Sequence, residues 1–189
     1  MKIGLYFGSF NPIHVGHLII ANHVANYSDL DQVWFVVSPQ NPFKSPASLL
    51  NQYHRLHLVK SSIDGEKKLR ASSIEFKLPK PSYTIDTLAY LNEKFPQHIF
   101  SIIIGSDGFQ NINKWKNYEL ILKNHHIYIY TRPDYEITET FGASVTKLNA
   151  PILEISSTKI REMIKEKKSI RFLVPDIVQE EIIQNGYYR

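Results

Sequence analysis

A chain of 189 residues, 43% of them hydrophobic and 21% charged, fits one folded domain able to bury about 70% of its unfolded surface, which excludes a disordered or staple-dependent protein. The absence of cysteine excludes disulfides, thiolate metal sites, iron–sulfur clusters and a cysteine nucleophile. The formal charge of +4 favours phosphate-bearing ligands without demanding nucleic acid, because the densest basic runs, at Glu66 to Lys68 and Lys165 to Lys168, each include a glutamate and read as solvated faces.

Along the chain, Ile3 to Phe7 is a short apolar run that predicts a buried parallel strand. No charged residue occurs from Ile3 to Ser28. Pro12, three histidines and three asparagines nonetheless interrupt that stretch, so a membrane span is not expected, and no basic leader with a cleavage site precedes it. The expected location is the cytoplasm. His14 to Tyr27 has helical spacing, Val33 to Val37 reads as a second buried strand, and Leu49 to Ile63 as a helix. Leu69 to Phe76 reads as extended, Ile85 to Lys94 as a helix and Ile99 to Ile104 as a strand. A weaker helix follows at Trp115 to Leu122, then strands at Ile127 to Tyr130 and Val145 to Leu148. Ser156 to Lys165 and Asp176 to Gln184 predict the closing helices. This alternation indicates a single α/β domain over 1–189: a doubly wound, Rossmann-like parallel sheet with helices on both faces. Ligands of such sheets bind beyond the carboxyl ends of the strands, where Gly8 to Pro12, Pro39 to Lys44 and Gly105-Ser106-Asp107 fall.

Three segments there can carry chemistry. His14 and His17 are three apart in the first turn of a predicted helix, an end whose free N–H groups and dipole favour phosphate, with Gly8 and Gly16 allowing close approach. On spacing alone the pair is as compatible with structural histidines as with phosphate donors, and neither a Walker A loop nor a G-x-G-x-x-G pattern occurs. Ile155-Ser156-Ser157-Thr158-Lys159-Ile160-Arg161 places cations in the opening turns of a helix, which is unfavourable unless an anion binds there or Glu154 and Glu162 neutralise them. Ser82-Tyr83-Thr84 opens a third helix, with Ser82 or Thr84 as cap, and a free N-terminus there could hold a carboxylate. Trp115, in a polar run, reads as core or as a stacking platform, and Asp107 as a ribose ligand or a turn residue.

These segments, together with Pro39 to Lys44, Arg132-Pro133 and the Gly8-Ser-Phe-Asn-Pro-Ile-His-Val-Gly-His17 run, resemble in kind and order the bacterial nicotinate-nucleotide adenylyltransferases of the HxGH nucleotidyltransferase superfamily. The resemblance implies ATP at Gly8, Ser9, Phe10, His14, His17, Gly105, Asp107, Ile155, Ser156, Ser157 and Arg161, with Mg2+ carried on the nucleotide and no protein-bound metal. It implies nicotinate mononucleotide at Lys44, Thr84, Trp115 and Arg132, and a catalytic set of His14, His17, Lys44 and Arg161. The implied reaction forms nicotinate adenine dinucleotide and pyrophosphate in NAD biosynthesis. The chain departs from the family pattern at Phe7, where a glycine is usual, and at Asn11, where an aspartate is. Two other readings stay open: a nucleotidylyltransferase acting on nicotinamide mononucleotide, pantetheine phosphate or glycerol phosphate, and a non-catalytic basic RNA-binding module. Nucleic-acid and membrane partners are not expected, and assembly into a homo-oligomer is left open.

Overall fold

In the computed structural model, which describes residues 1–42, 49–151 and 153–189, six strands make one all-parallel sheet. They are β1 (Lys2–Gly8), β2 (Gln32–Val37), β3 (Leu69–Ser72), β4 (Ile99–Gly105), β5 (Ile127–Tyr130) and β6 (Val145–Leu148), in the order β3-β2-β1-β4-β5-β6. The inner strands β1, β2, β4 and β5 are largely apolar on both sides because both faces are covered. In β2, Val33, Phe35 and Val37 enter one core while Trp34 and Val36 enter the other. Helices α1 (Val15–Tyr27), α2 (Gln52–Ser62), α6 (Ser157–Lys165) and α7 (Asp176–Asn185) supply the first core; α3 (Thr84–Lys94), the single turn α4 (Ser106–Phe109) and α5 (Tyr118–Asn124) supply the second.

The chain order reverses between β1 and β4, which pair in parallel with Tyr6 opposite Ile103. That switch point opens a crevice at the carboxyl ends of the two strands, into which the turns after Gly8 and Gly105 project.

The predicted elements all form, with shifted ends. His14 stands outside α1 as its N-cap, Asn51 caps α2 by accepting from Tyr53 N–H at 2.9 Å, and Ser156 caps α6 by accepting from Lys159 N–H at 3.2 Å. The extended reading of Leu69 to Phe76 holds only to Ser72, after which Ile74–Lys77 turns as a 3-10 helix. The helix expected from Trp115 begins at Tyr118, because Asn117 adopts the left-handed conformation (φ 52°) that interrupts any helix upstream. Gly105-Ser106-Asp107, expected as a loop, leads straight into α4.

Candidate active site

The crevice has two lobes that share Tyr6, Phe7, Asp107 and Tyr130. The lobe on the α1 side encloses about 580 Å³, twice the roughly 290 Å³ of its neighbour on the α3 side. The larger lobe therefore suits the bulkier of two ligands.

His14 and His17 line the larger lobe with their rings stacked, centroids 3.6 Å apart and planes 23° from parallel. His17 Nδ1 accepts the His14 backbone N–H at 3.3 Å, so a neutral His17 carries its proton on Nε2, a donor. His14 is 5% exposed, its Nδ1 is buried without a hydrogen-bond partner, and burial, reinforced by the charge of Arg132, lowers its pKa to about 4. The free protein thus holds His14 neutral at physiological pH, and a doubly charged pair needs a bound anion to raise it.

The glycines expected to admit a ligand have protein neighbours. A Cβ on Gly8 would lie 2.6 Å from the ring of Phe10, and one on Gly16 3.1 Å from His14 Nδ1. Phe10 itself is 2% exposed and packs edge-on against His17, centroids 5.1 Å apart, and against Phe35. Its ring supports His17 from below. Phe10, Gly8 and Ser9 nonetheless line the lobe.

Across the lobe, α6 is fastened to the β1–α1 turn: Ser157 Oγ donates to the Pro12 carbonyl at 2.8 Å, and Arg161 Nη1 donates to the Asn11 carbonyl at 2.8 Å. Asn11 Oδ1 in turn accepts from Leu50 N–H at 3.1 Å. These bonds bring Ile155, Ser156, Ser157 and Arg161 into the same wall as the histidines.

The smaller lobe is lined by Ser82, Tyr83, Thr84, Gly105, Trp115 and Lys116, among others. Neither Ser82 nor Thr84 caps α3. Its N-cap is Tyr83, with no side-chain cap, which leaves the helix start to water or a ligand. Trp115 is half-buried against the second core, and Lys116 stands over the Tyr83 ring while pairing with Asp86 at 2.9 Å.

At the junction Asp107 Oδ1 pairs with Arg132 Nε at 3.2 Å, and Arg132 Nη2 reaches Tyr130 OH at 3.4 Å. Arg132, expected with Thr84 and Trp115, thus lies on the histidine side of the divide. A Cβ on Gly105 would strike Asp107 Oδ1 at 2.4 Å, which is why glycine precedes this aspartate. Lys44 lies outside the described residues. Among the described residues no group of three or more His, Asp or Glu side chains is arranged to hold a metal ion.

The cytidylyltransferase-like family model matches residues 5–163. The chain is 54% identical to a probable nicotinate-nucleotide adenylyltransferase of Flavobacterium psychrophilum, over all of both chains. It is 53% identical to one of Cytophaga hutchinsonii, over all of this chain and 98% of that one. The chain belongs to the nicotinate-nucleotide adenylyltransferases. The fold agrees with a solved nicotinic acid mononucleotide adenylyltransferase of Plasmodium falciparum, complexed with NaAD, at a TM-score of 0.85 and 23% identity over 99% of this chain and 97% of that one.

Two buried side chains of this adenylyltransferase gave no sequence signal. Arg55, wholly buried, donates from Nε to the Leu50 carbonyl at 2.8 Å, from Nη1 to those of Ser9 at 2.5 Å and Ser38 at 2.8 Å, and from Nη2 to Pro39 at 3.2 Å. Burial lowers its pKa to about 10. Glu75, in the 3-10 turn, is buried beside Thr87 of α3 and lines the smaller lobe. In sequence both look like surface charges of amphipathic segments, because nothing local marks a charge that tertiary contacts will enclose.

Proposed function

We propose that the crevice joins ATP to nicotinate mononucleotide, the larger lobe holding ATP and the smaller the acceptor's pyridine nucleoside. The observation that carries this is the sharing of Tyr6, Phe7, Asp107 and Tyr130 between the lobes: two ligands, one in each, meet at the Asp107–Arg132 junction beside the histidines.

An oxygen of the acceptor phosphate attacks the α-phosphorus of ATP in line. A P–O bond forms to the acceptor, the bond to the bridging oxygen breaks, and pyrophosphate leaves with that electron pair. No covalent intermediate is required, so the work of the protein is alignment and stabilisation of charge. His17 donates from Nε2 to a phosphate oxygen, and His14, once an anion arrives, does likewise. Arg161 reaches the triphosphate from the α6 side with the free N–H groups behind Ser156 and Ser157, and Asp107, common to both lobes, takes ribose hydroxyls, while Gly105, expected with ATP, lines the smaller lobe instead. Arg132, at the junction, fits the acceptor phosphate, with Lys44 as the second cation for it. Trp115 stacks on the pyridine, and the uncapped start of α3 at Thr84 takes its carboxylate. Magnesium fits as a passenger on the triphosphate, since imidazole, guanidinium and hydroxyl groups dominate the lobe and Asp107 is engaged by Arg132; when bound it neutralises charge on the leaving pyrophosphate.

One nucleotidyltransferase domain over 1–189, working in the cytoplasm, suits this reading. No described helix is long and apolar enough to cross a membrane.

The test is pyrophosphate release from ATP with nicotinate mononucleotide, nicotinamide mononucleotide, pantetheine phosphate and glycerol phosphate in parallel. Turnover is expected to be fastest with the pyridine acid. Equal turnover of acid and amide rejects the acid preference, and faster turnover of either non-pyridine acceptor rejects the assignment of the smaller lobe.

A further inference from the structure

Two oxygens in the smaller lobe are buried with no hydrogen-bond partner: Glu75 Oε2 and Ser82 Oγ. Glu75 is 1% exposed and Ser82 8%. The other carboxyl oxygen, Glu75 Oε1, accepts from Thr87 Oγ1 at 3.0 Å, and Thr87 lies in the first turn of α3, directly after the Ser82-Tyr83-Thr84 wall. A buried carboxyl with half its capacity unused is destabilising, and folded proteins keep such groups where something else repays the cost. Both residues line one lobe, beside the uncapped start of α3.

We infer that Glu75 sets the choice between acid and amide acceptors, the ring substituent of the ligand completing the hydrogen bonding that Glu75 Oε2 and Ser82 Oγ lack. This rests on the reading of the smaller lobe as the acceptor's. As a neutral carboxyl, Glu75 donates to a pyridine carboxylate. Ionised, it repels that carboxylate and instead accepts from a carboxamide N–H. Burial raises the Glu75 pKa, with the hydroxyls of Ser38, Thr87 and Ser82 acting in the opposite direction, so the acid-accepting form persists above the ordinary carboxylate range. Raising the pH removes that proton and with it the preference for acid.

The other titratable groups lining the lobe, among the described residues, are Tyr6, Tyr83, Asp107, Lys116 and Tyr130; Asp86 on α3 is held by Lys116. These groups and the acceptor phosphate are the same in Glu75→Gln, so the difference between the two enzymes isolates Glu75. The experiment measures kcat/KM by pyrophosphate release for nicotinate and nicotinamide mononucleotides, using the full chain, from about pH 5.5 to about 8.5, above the ordinary carboxylate range. In the unmutated protein the acid-to-amide ratio is expected to fall by about tenfold across it, the change that one unit of altered ionisation energy gives. In Glu75→Gln the ratio is expected to be flat. A flat ratio in the unmutated protein, or the same slope in both, overturns the inference.

Should Glu75→Gln fail to fold, the unmutated ratio still decides, with Ser82→Ala as the second variant. Loss of its hydroxyl is expected to lower kcat/KM for the acid by about tenfold, and an unchanged value counts against the inference. Absence of pyrophosphate with either acceptor overturns the activity itself; turnover with a ratio indifferent to pH overturns only the role of Glu75.

Discussion

His14 shows how burial converts an ordinary side chain into a conditional one. Its imidazole is stacked on His17, walled by Gly16 and pushed to a pKa of about 4 by burial first and Arg132 second. Unfolded, it would titrate near 6.5. The folded pKa is the lower of the two, so the unfolded chain binds the extra proton between these values. The contribution of His14 to stability is therefore complete above about pH 6.5 and is lost as the pH falls toward 4, by up to about 3 kcal/mol. Urea unfolding at pH 4.5 and 7.0 measures it: His14→Asn is expected to flatten this part of the profile, and an unaltered acid limb would sink the argument. The same physics ties ligand to proton, since a triphosphate beside His14 favours the charged ring and draws a proton in on binding. Departures at the residue scale also find their reasons. Asn11 joins the first turn to Leu50 and to Arg161 through its side chain and carbonyl, and Phe7 forms the floor common to both lobes.

Between elements, the decisive connection is Arg55. It stands in α2, yet its guanidinium reaches the carbonyls of the turn after β1, the turn after β2 and the approach to its own helix. Four carbonyl acceptors converge on this one side chain, and a planar fork can satisfy them while a lysine cannot. Arg55→Leu leaves these carbonyls without that donor and is expected to cost about 3 kcal/mol or more, visible as a lowered urea midpoint. Arg55→Lys keeps the charge but loses the fork and should fall between. Because Ser9 lines the lobe proposed for ATP, kcat should decline in both folded variants; a Leu variant as stable as the parent would show that the clamp is dispensable. The closing helix works in the same way, as Ser157 and Arg161 hold α6 against the first turn and so carry residues more than 140 positions away into the histidine wall.

Across the whole molecule, the sheet makes the two lobes a property of one cooperative unit: Tyr6 and Phe7 of β1 and Tyr130 of β5 line both lobes, with Asp107 of α4 between them. ATP should then stabilise the entire domain. At a concentration 100 times its dissociation constant it contributes about 2.7 kcal/mol, which for a domain of this size raises Tm by about 5 to 10 °C in a single transition. Calorimetry with and without ATP checks this, and two separable transitions would contradict a single unit.

The sequence by itself determined the alternation of strand and helix, the double-sided burial of the inner strands and the position of Gly8 to His17, Gly105 to Asp107 and Ser156 to Arg161 at element junctions. These are read from local periodicity and capping, which the backbone expresses wherever the segment lies. Only the tertiary structure decided that β1 and β4 are neighbours, that Arg132 stands with the histidines, that Phe10 occupies the space beside Gly8, and that Arg55 and Glu75 are enclosed. Those facts depend on pairing between segments far apart in the chain, where the surroundings of a charge are set by residues that no local pattern names.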